Sequence, residues 1–259
     1  MTLYFQPMPK RTVTRWQASG LHLLISIAIA AVVLALLLLV WYPGPLFQAM
    51  GGMGLLFILI GVDVVLGPTI TLIIFKQGKR GLKLDLAVIG AVQLAALLYG
   101  VHVMYLAHPA FIVFVKVQFQ VATPAELEPE RLAEAKYPQF RHPPLGKPLF
   151  VAADVPDDLP SRYELTNAVM AGLDVQHFPK YYVPYSERTK EVLAASQPLE
   201  RIRKSEPETG KIIDAYLARS GKKEADLRYL PLRGREAWVA VLIDARTAEP
   251  LKMLLAENM

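Results

Sequence analysis

The sequence predicts a membrane protein with three transmembrane α-helices followed by a C-terminal α+β extracytoplasmic domain. Three observations carry this. Hydrophobic stretches recur between Leu21 and Ala107, ordinary mixed sequence begins at Ala110, and the charge excess is confined to the first part of the chain. The boundary falls between residues 109 and 110, giving a membrane domain (1–109) and a periplasmic domain (110–259).

Apolar residues form 53% of the chain and mean hydropathy is positive, which strains a wholly soluble reading. Seven basic side chains (Lys10, Arg11, Arg15, Lys76, Lys79, Arg80, Lys83) and two acids (Asp63, Asp85) before residue 110 account for the whole net charge of +5. The remainder balances to zero, so the soluble part lacks the basic footprint of a nucleic-acid binder. The chain has no cysteine, which removes disulfides, thiolate nucleophiles and Cys-ligated metals.

The first span, about 21–40, is long enough at 1.5 Å per residue to cross about 30 Å of hydrocarbon. Trp16 before it and Trp41-Tyr42 after it suit interfacial positions. Its apolar run is too long for a usual signal-peptide core and lacks a small-x-small cleavage site, so it reads as an uncleaved anchor. The second span covers about 50–75 and the third about 84–107. The loop "KQGKRGLK" between them carries four basic residues, whereas "WYPGPLFQAM" between the first two carries none. By the positive-inside rule the N-terminus is cytoplasmic and the C-terminal domain periplasmic, in a bacterial inner membrane.

Beyond the third span, "FIVFVKVQFQVA" alternates as a strand from Phe111. Helices are expected at Glu126–Tyr137, Ser161–Ala171 and Ser186–Ala195, with a strand near Pro148–Ala152. "SEPETGKIIDAYLARSG" reads as a helix with Ser205 as N-cap, Glu208 at the capping-box position and Gly221 as terminator. The last thirty residues contain two or three strands, punctuated by Gly234 and by "DARTAEP". "FPKYYVPYSER" is either an ordered packing loop or a periplasmic contact surface presenting Phe178, Tyr181, Tyr182 and Tyr185.

No catalytic motif emerges. The five histidines lack helical metal-pair spacing, and no HExxH, GxSxG or phosphate-binding loop occurs, so no metal, cofactor or enzymatic activity is expected. His102 and His108 read as interfacial, and the soluble-domain serines as helix caps. Asp63, in "LIGVDVVLGPTITLIIF", invites comparison with intramembrane aspartyl proteases, which need two adjacent carboxylates. It lies 12 residues, about 18 Å, above the cytoplasmic face, whereas Asp85 lies essentially at that face, so the two cannot form a dyad.

The remaining reading of Asp63 is a neutral or hydrogen-bonded carboxyl within a helix bundle. Pro68 cannot donate to the Val64 carbonyl, Gly67 relieves the crowding before proline, and Thr69 and Thr71 can return hydroxyl bonds. Gln93, at similar depth on the third span, is the first partner expected for Asp63, and Tyr99 the second. Asp63, Gly67, Pro68, Thr71, Gln93 and Tyr99 thus form a candidate polar joint, facing either its own helices or a partner's. An ion-coupling or transport subunit centred on Asp63 is the alternative.

"ASGLHLLISIAIAAVVLALLLLVWYPGPL", "GVDVVLGPTITLIIFKQGK" and "DLAVIGAVQLAALLYG", continued by "FPKYYVPY" and "WVAVLIDARTAEPL", resemble the type IV pilin accessory protein family (TfpX/TfpZ). The pattern Asp63–Gly67-Pro68–Thr71 is the most specific part. The resemblance implies an inner-membrane helper of type IV pilus biogenesis that acts on the stability or display of a cognate pilin. It implies contact with that pilin and with lipid, and no catalysis or cofactor.

Overall fold

The computed structural model describes residues 13–256, so Lys10 and Arg11 lie outside the described residues. Three helices are long and apolar enough to cross a membrane: Arg15–Trp41, Gly52–Ile74 and Leu82–Ala107. The first starts ahead of its apolar run because Thr14 and Gln17 form a reciprocal cap. The Gln17 N–H donates to Thr14 Oγ1 at 3.2 Å and the Thr14 N–H to Gln17 Oε1 at 3.0 Å. Helix α1 (Arg15–Leu36) ends in one π turn, Leu37–Trp41.

A short α2 (Leu46–Ala49) precedes the second long helix, which is built in three pieces: α3 (Gly52–Ile60), a π segment (Gly61–Leu66) and α4 (Gly67–Ile74). Pro68 explains the division. It has no N–H to donate and stands in the first turn of α4, while the Gly67 N–H reaches back five residues to the Val62 carbonyl. The Thr69 hydroxyl donates to the Val65 carbonyl at 2.7 Å. Helix α5 (Leu82–Ala107) is continuous, and only Met104 along it is buried.

Two compact units result. One gathers Leu55–His102 with the first helix as far as Leu34. The other joins Ala35–Gly54 to the chain from Val103 onward.

The second unit is built on a seven-stranded mixed sheet in the order β4-β3-β1-β2-β5-β6-β7. Its strands are β1 (Phe111–Val115), β2 (Gln118–Ala122), β3 (Leu149–Ala153), β4 (Tyr182–Pro184), β5 (Leu227–Arg233), β6 (Trp238–Asp244) and β7 (Pro250–Ala256). The single strand expected from Phe111 is instead a hairpin. Lys116 adopts φ 55° and Val117 completes a two-residue turn, pairing Val115 with Gln118. The alternation continues through the turn without Gly or Asn, which hid the reversal. Strand β1 pairs in parallel with β3 and β2 in parallel with β5, and the other pairings are antiparallel.

Helices α6 (Pro129–Ala133), α7 (Leu159–Met170), α8 (Thr189–Ala195), α9 (Leu199–Ser205) and α10 (Pro207–Ser220) flank the sheet strands in sequence. The helix expected at Glu126–Tyr137 shrinks to α6, with isolated 3-10 turns at Pro124–Glu126 and Pro138–Phe140. Ser205 does not cap α10. It closes α9, donating to the Arg201 carbonyl, and Glu206 takes the N-cap position. Gly221 terminates α10 in the left-handed region at φ 67°.

One core cluster gathers Phe111, Val113, Phe140, Val151 and Tyr182. A second gathers Ile202, Ile213, Tyr229, Leu242 and Leu254. All five β1 residues are buried, so both sheet faces are covered there.

The segment between the first two long helices packs within this unit. Trp41 Nε1 donates to the Leu145 carbonyl at 3.1 Å, and the Tyr42 hydroxyl donates to the Met104 carbonyl at 2.9 Å. Both aromatics are buried, as is His108, whose ring stacks on Trp41. All three residues therefore pack within the protein. The Glu236 N–H donates to the Ala49 carbonyl at 2.9 Å, tying the β5–β6 turn to the same segment.

Candidate functional site

The buried polar side chains of the first unit among the described residues are Ser26, Asp63 and Thr71. The π segment offsets the helix register around Asp63, which is buried at 8% exposure. Gln93 of α5 crosses beside it, but its Nε2 donates to the backbone carbonyl of Asp63 at 3.4 Å and not to the carboxyl. The two residues thus meet through the Asp63 backbone and not through its carboxyl. Buried Asp63 Oδ1 and Gln93 Oε1 are both left without a hydrogen-bond partner among the described residues.

Gly67 makes room for this crossing, because a Cβ there would collide with the Gln93 amide. Pro68 is buried, and its carbonyl accepts from the Ser19 hydroxyl at 2.9 Å. Buried Thr71 pairs with His22, with Oγ1 and Nδ1 2.7 Å apart. Tyr99 stands apart from this group and is 71% exposed. Asp85 pairs with Lys79 at 2.6 Å, away from Asp63.

Sequence reasoning missed the first helix's share of the site. Ser19, His22 and Ser26 recur at spacings of three and four, which places them on one helical face. That spacing was the available signal. A pocket of about 170 Å³ opens beside this face, lined by His22, Ser26, Asp63 and Gln93, with Ile25, Ile29, Leu94 and Leu97 supplying apolar walls.

The aromatic stretch in the sheet unit is mostly enclosed. Phe178, Tyr181 and Tyr182 are buried. The Tyr182 hydroxyl donates to the Gln176 carbonyl, and burial pushes its pKa well above the usual tyrosine range. Tyr185 stacks on Phe119 and donates to the Ala248 carbonyl at 2.7 Å. Lys180 pairs with Glu164 at 2.5 Å.

A polar pocket of about 260 Å³ in this unit is lined by Gln120, Glu126, Asp174, Gln176, Arg233 and Arg235, among others. Gln120 Nε2 donates to Asp174 Oδ2 at 3.1 Å, and the Asp174 N–H donates to His177 Nδ1 at 2.9 Å. Among the described residues, no three His, Asp or Glu side chains converge as metal ligands.

Among the described residues the fold is that of a protein with three helices of membrane-spanning length and a mixed-sheet unit. The family model described as "Fimbrial assembly protein FimB" matches residues 10–51. "Fimbrial assembly protein, serogroup I" from Dichelobacter nodosus is 30% identical over 249 residues, covering 93% of this chain and 90% of that protein. The serogroup E1 protein of the same organism is 32% identical over 184 residues, covering 70% of this chain and 71% of that one. The protein of serogroups C1 and C2 is 36% identical over 120 residues, covering 45% of this chain and 91% of its own length. The chain belongs to the fimbrial assembly protein family. No solved structure matches it significantly.

Proposed function

We propose that this protein is a non-enzymatic inner-membrane accessory factor of type IV pilus biogenesis, as the resemblance to the TfpX/TfpZ accessory proteins implies. It assists a cognate pilin by contacting it in the membrane and in the periplasm. The observation that carries the reading is the near full-length similarity to a fimbrial assembly protein, joined to three helices of membrane-spanning length. The basic residues flanking these helices favour a cytoplasmic N-terminus and a periplasmic sheet unit.

A helper of this kind needs no reaction. It must hold an apolar subunit until the assembly machinery takes it. Deletion of the gene, with pilin level and surface pili as readouts, tests the proposal. Reduced pilin or pili, restored by the wild-type chain, supports it. Unchanged levels of both overturn it.

A further inference from the structure

The pocket beside Asp63 has a defined chemical deficit. Its two buried unpartnered atoms, Asp63 Oδ1 and Gln93 Oε1, are both acceptors. Three of the donors around it are engaged elsewhere. Gln93 Nε2 faces the Asp63 carbonyl, the Ser19 hydroxyl faces the Pro68 carbonyl, and His22 Nδ1 is paired with Thr71. An acceptor buried without a donor is destabilising, and more so in hydrocarbon.

We propose that this pocket receives a single hydrogen-bond donor carried on the apolar helix of a fimbrial subunit. The proposal rests on the membrane-helper reading above and specifies its contact. The pocket, at about 170 Å³, holds one side chain and is smaller than a usual small-molecule site of roughly 300–1,000 Å³. Its apolar walls include Ile25, Ile29 and Leu94, all substantially exposed, as suits a helix lying across the opening.

Depth excludes a lipid headgroup as the donor. Asp63 is eleven residues from the helix end at Ile74, and Gln93 eleven from the helix start at Leu82. Both therefore sit about 17 Å from that end, near the middle of a hydrocarbon layer about 30 Å thick. A polar donor at that level arrives on a helix. Exposed Leu94 and Leu98 on α5 leave a surface on which such a helix can lie.

The test uses the full chain in lipid nanodiscs. Because the chain has no cysteine, a single cysteine introduced at Leu94 or at Val92 takes a photoreactive label without background. Leu94 lines the pocket, and Val92, two residues away, points to the far side of the helix. The probes are synthetic apolar helices identical except for a central leucine or a central serine. The label at Leu94 should capture the serine helix roughly five-fold better than the leucine helix, the label at Val92 should show no preference, and Asp63→Leu/Gln93→Leu should abolish the preference.

Equal capture of the two helices overturns the proposal, as does a preference that survives the double substitution. So does crosslinking between two copies of this chain in place of the probe. Asp63→Leu should leave the thermal midpoint unchanged or raised, because it removes an unpaired acceptor. A fall would show that Asp63 is an internal joint and would also overturn the proposal. Failure of the membrane-helper reading is distinct: it appears as unchanged pilin and pili on deletion, or as a chain that does not enter nanodiscs.

Discussion

Gln93 occupies the space that a side chain at residue 67 would fill: a Cβ on Gly67 would meet Gln93 Nε2 at 1.9 Å. The two helices approach closely here because one of them lacks a side chain. Gly67→Ala should therefore displace Gln93 from the Asp63 carbonyl and lower stability by about 1–3 kcal/mol. Thermal unfolding in detergent measures this. Shortening Gln93 to Ala in the same chain should recover much of the loss, since the substitutions share one contact.

His22 and Thr71 form the second tie between helices. Thr71→Val keeps the shape and removes the hydroxyl, leaving a part-buried ring nitrogen without its partner. The expected loss is about 1–2 kcal/mol. His22→Leu combined with Thr71→Val should be less damaging than the two single losses added together. A double-mutant cycle by thermal unfolding reads the coupling, and simple additivity would contradict the pairing.

In the sheet unit, Gly234 is enclosed by backbone. A Cβ there would come within 2.4 Å of the Ala237 carbonyl oxygen and 2.7 Å of the Ala49 carbonyl oxygen. Neither neighbour is a side chain that can swing away. Gly234→Ala should cost about 2 kcal/mol or more and loosen the Glu236 N–H bond to Ala49. Faster hydrogen exchange at Glu236 is the local readout. An unchanged exchange rate would show that the turn accommodates the methyl.

His177 gives the fold a pH dependence. Burial holds its pKa below the ordinary 6.5, against the opposing pull of Glu126 and Asp174. Its Nδ1 accepts the Asp174 N–H, which requires the neutral ring. The unfolded chain binds a proton more readily than the folded one, so this contribution is complete above about pH 6.5 and is lost as pH falls below it. Burial depresses His108 in the same direction. The unfolding midpoint should fall between pH 7 and pH 5, and His177→Asn should flatten part of the decline.

The long helices and most sheet strands were legible because each has a strong local signal: length with hydropathy for the helices, alternation and turn residues for β5 to β7. The β1–β2 hairpin was not, because Lys116 takes a positive φ that nothing in "FVKVQF" announces. Ser205 looked like a cap because α9, ending there, is too short to show periodicity. At the polar joint, matching depth brought Gln93 to the level of Asp63. It could not reveal that the amide would bond to backbone, since that depends on the π segment and the bare Gly67. The share of His22 is legible only in the Ser19–His22–Ser26 spacing, which places the three on one helical face.

The sheet order has a consequence for biosynthesis. Strand β2 lies in the middle of the sheet, yet its outer neighbour β5 begins at Leu227, more than a hundred residues further along the chain. At ribosomal speeds of about 5–20 residues per second, β2 presents an open edge for roughly 5–20 seconds before β5 is made. During that interval the nascent chain displays half a sheet and its buried aromatics to any chaperone, protease or second nascent copy nearby. Closure of the sheet therefore waits for the strands made after Leu227, β5 to β7.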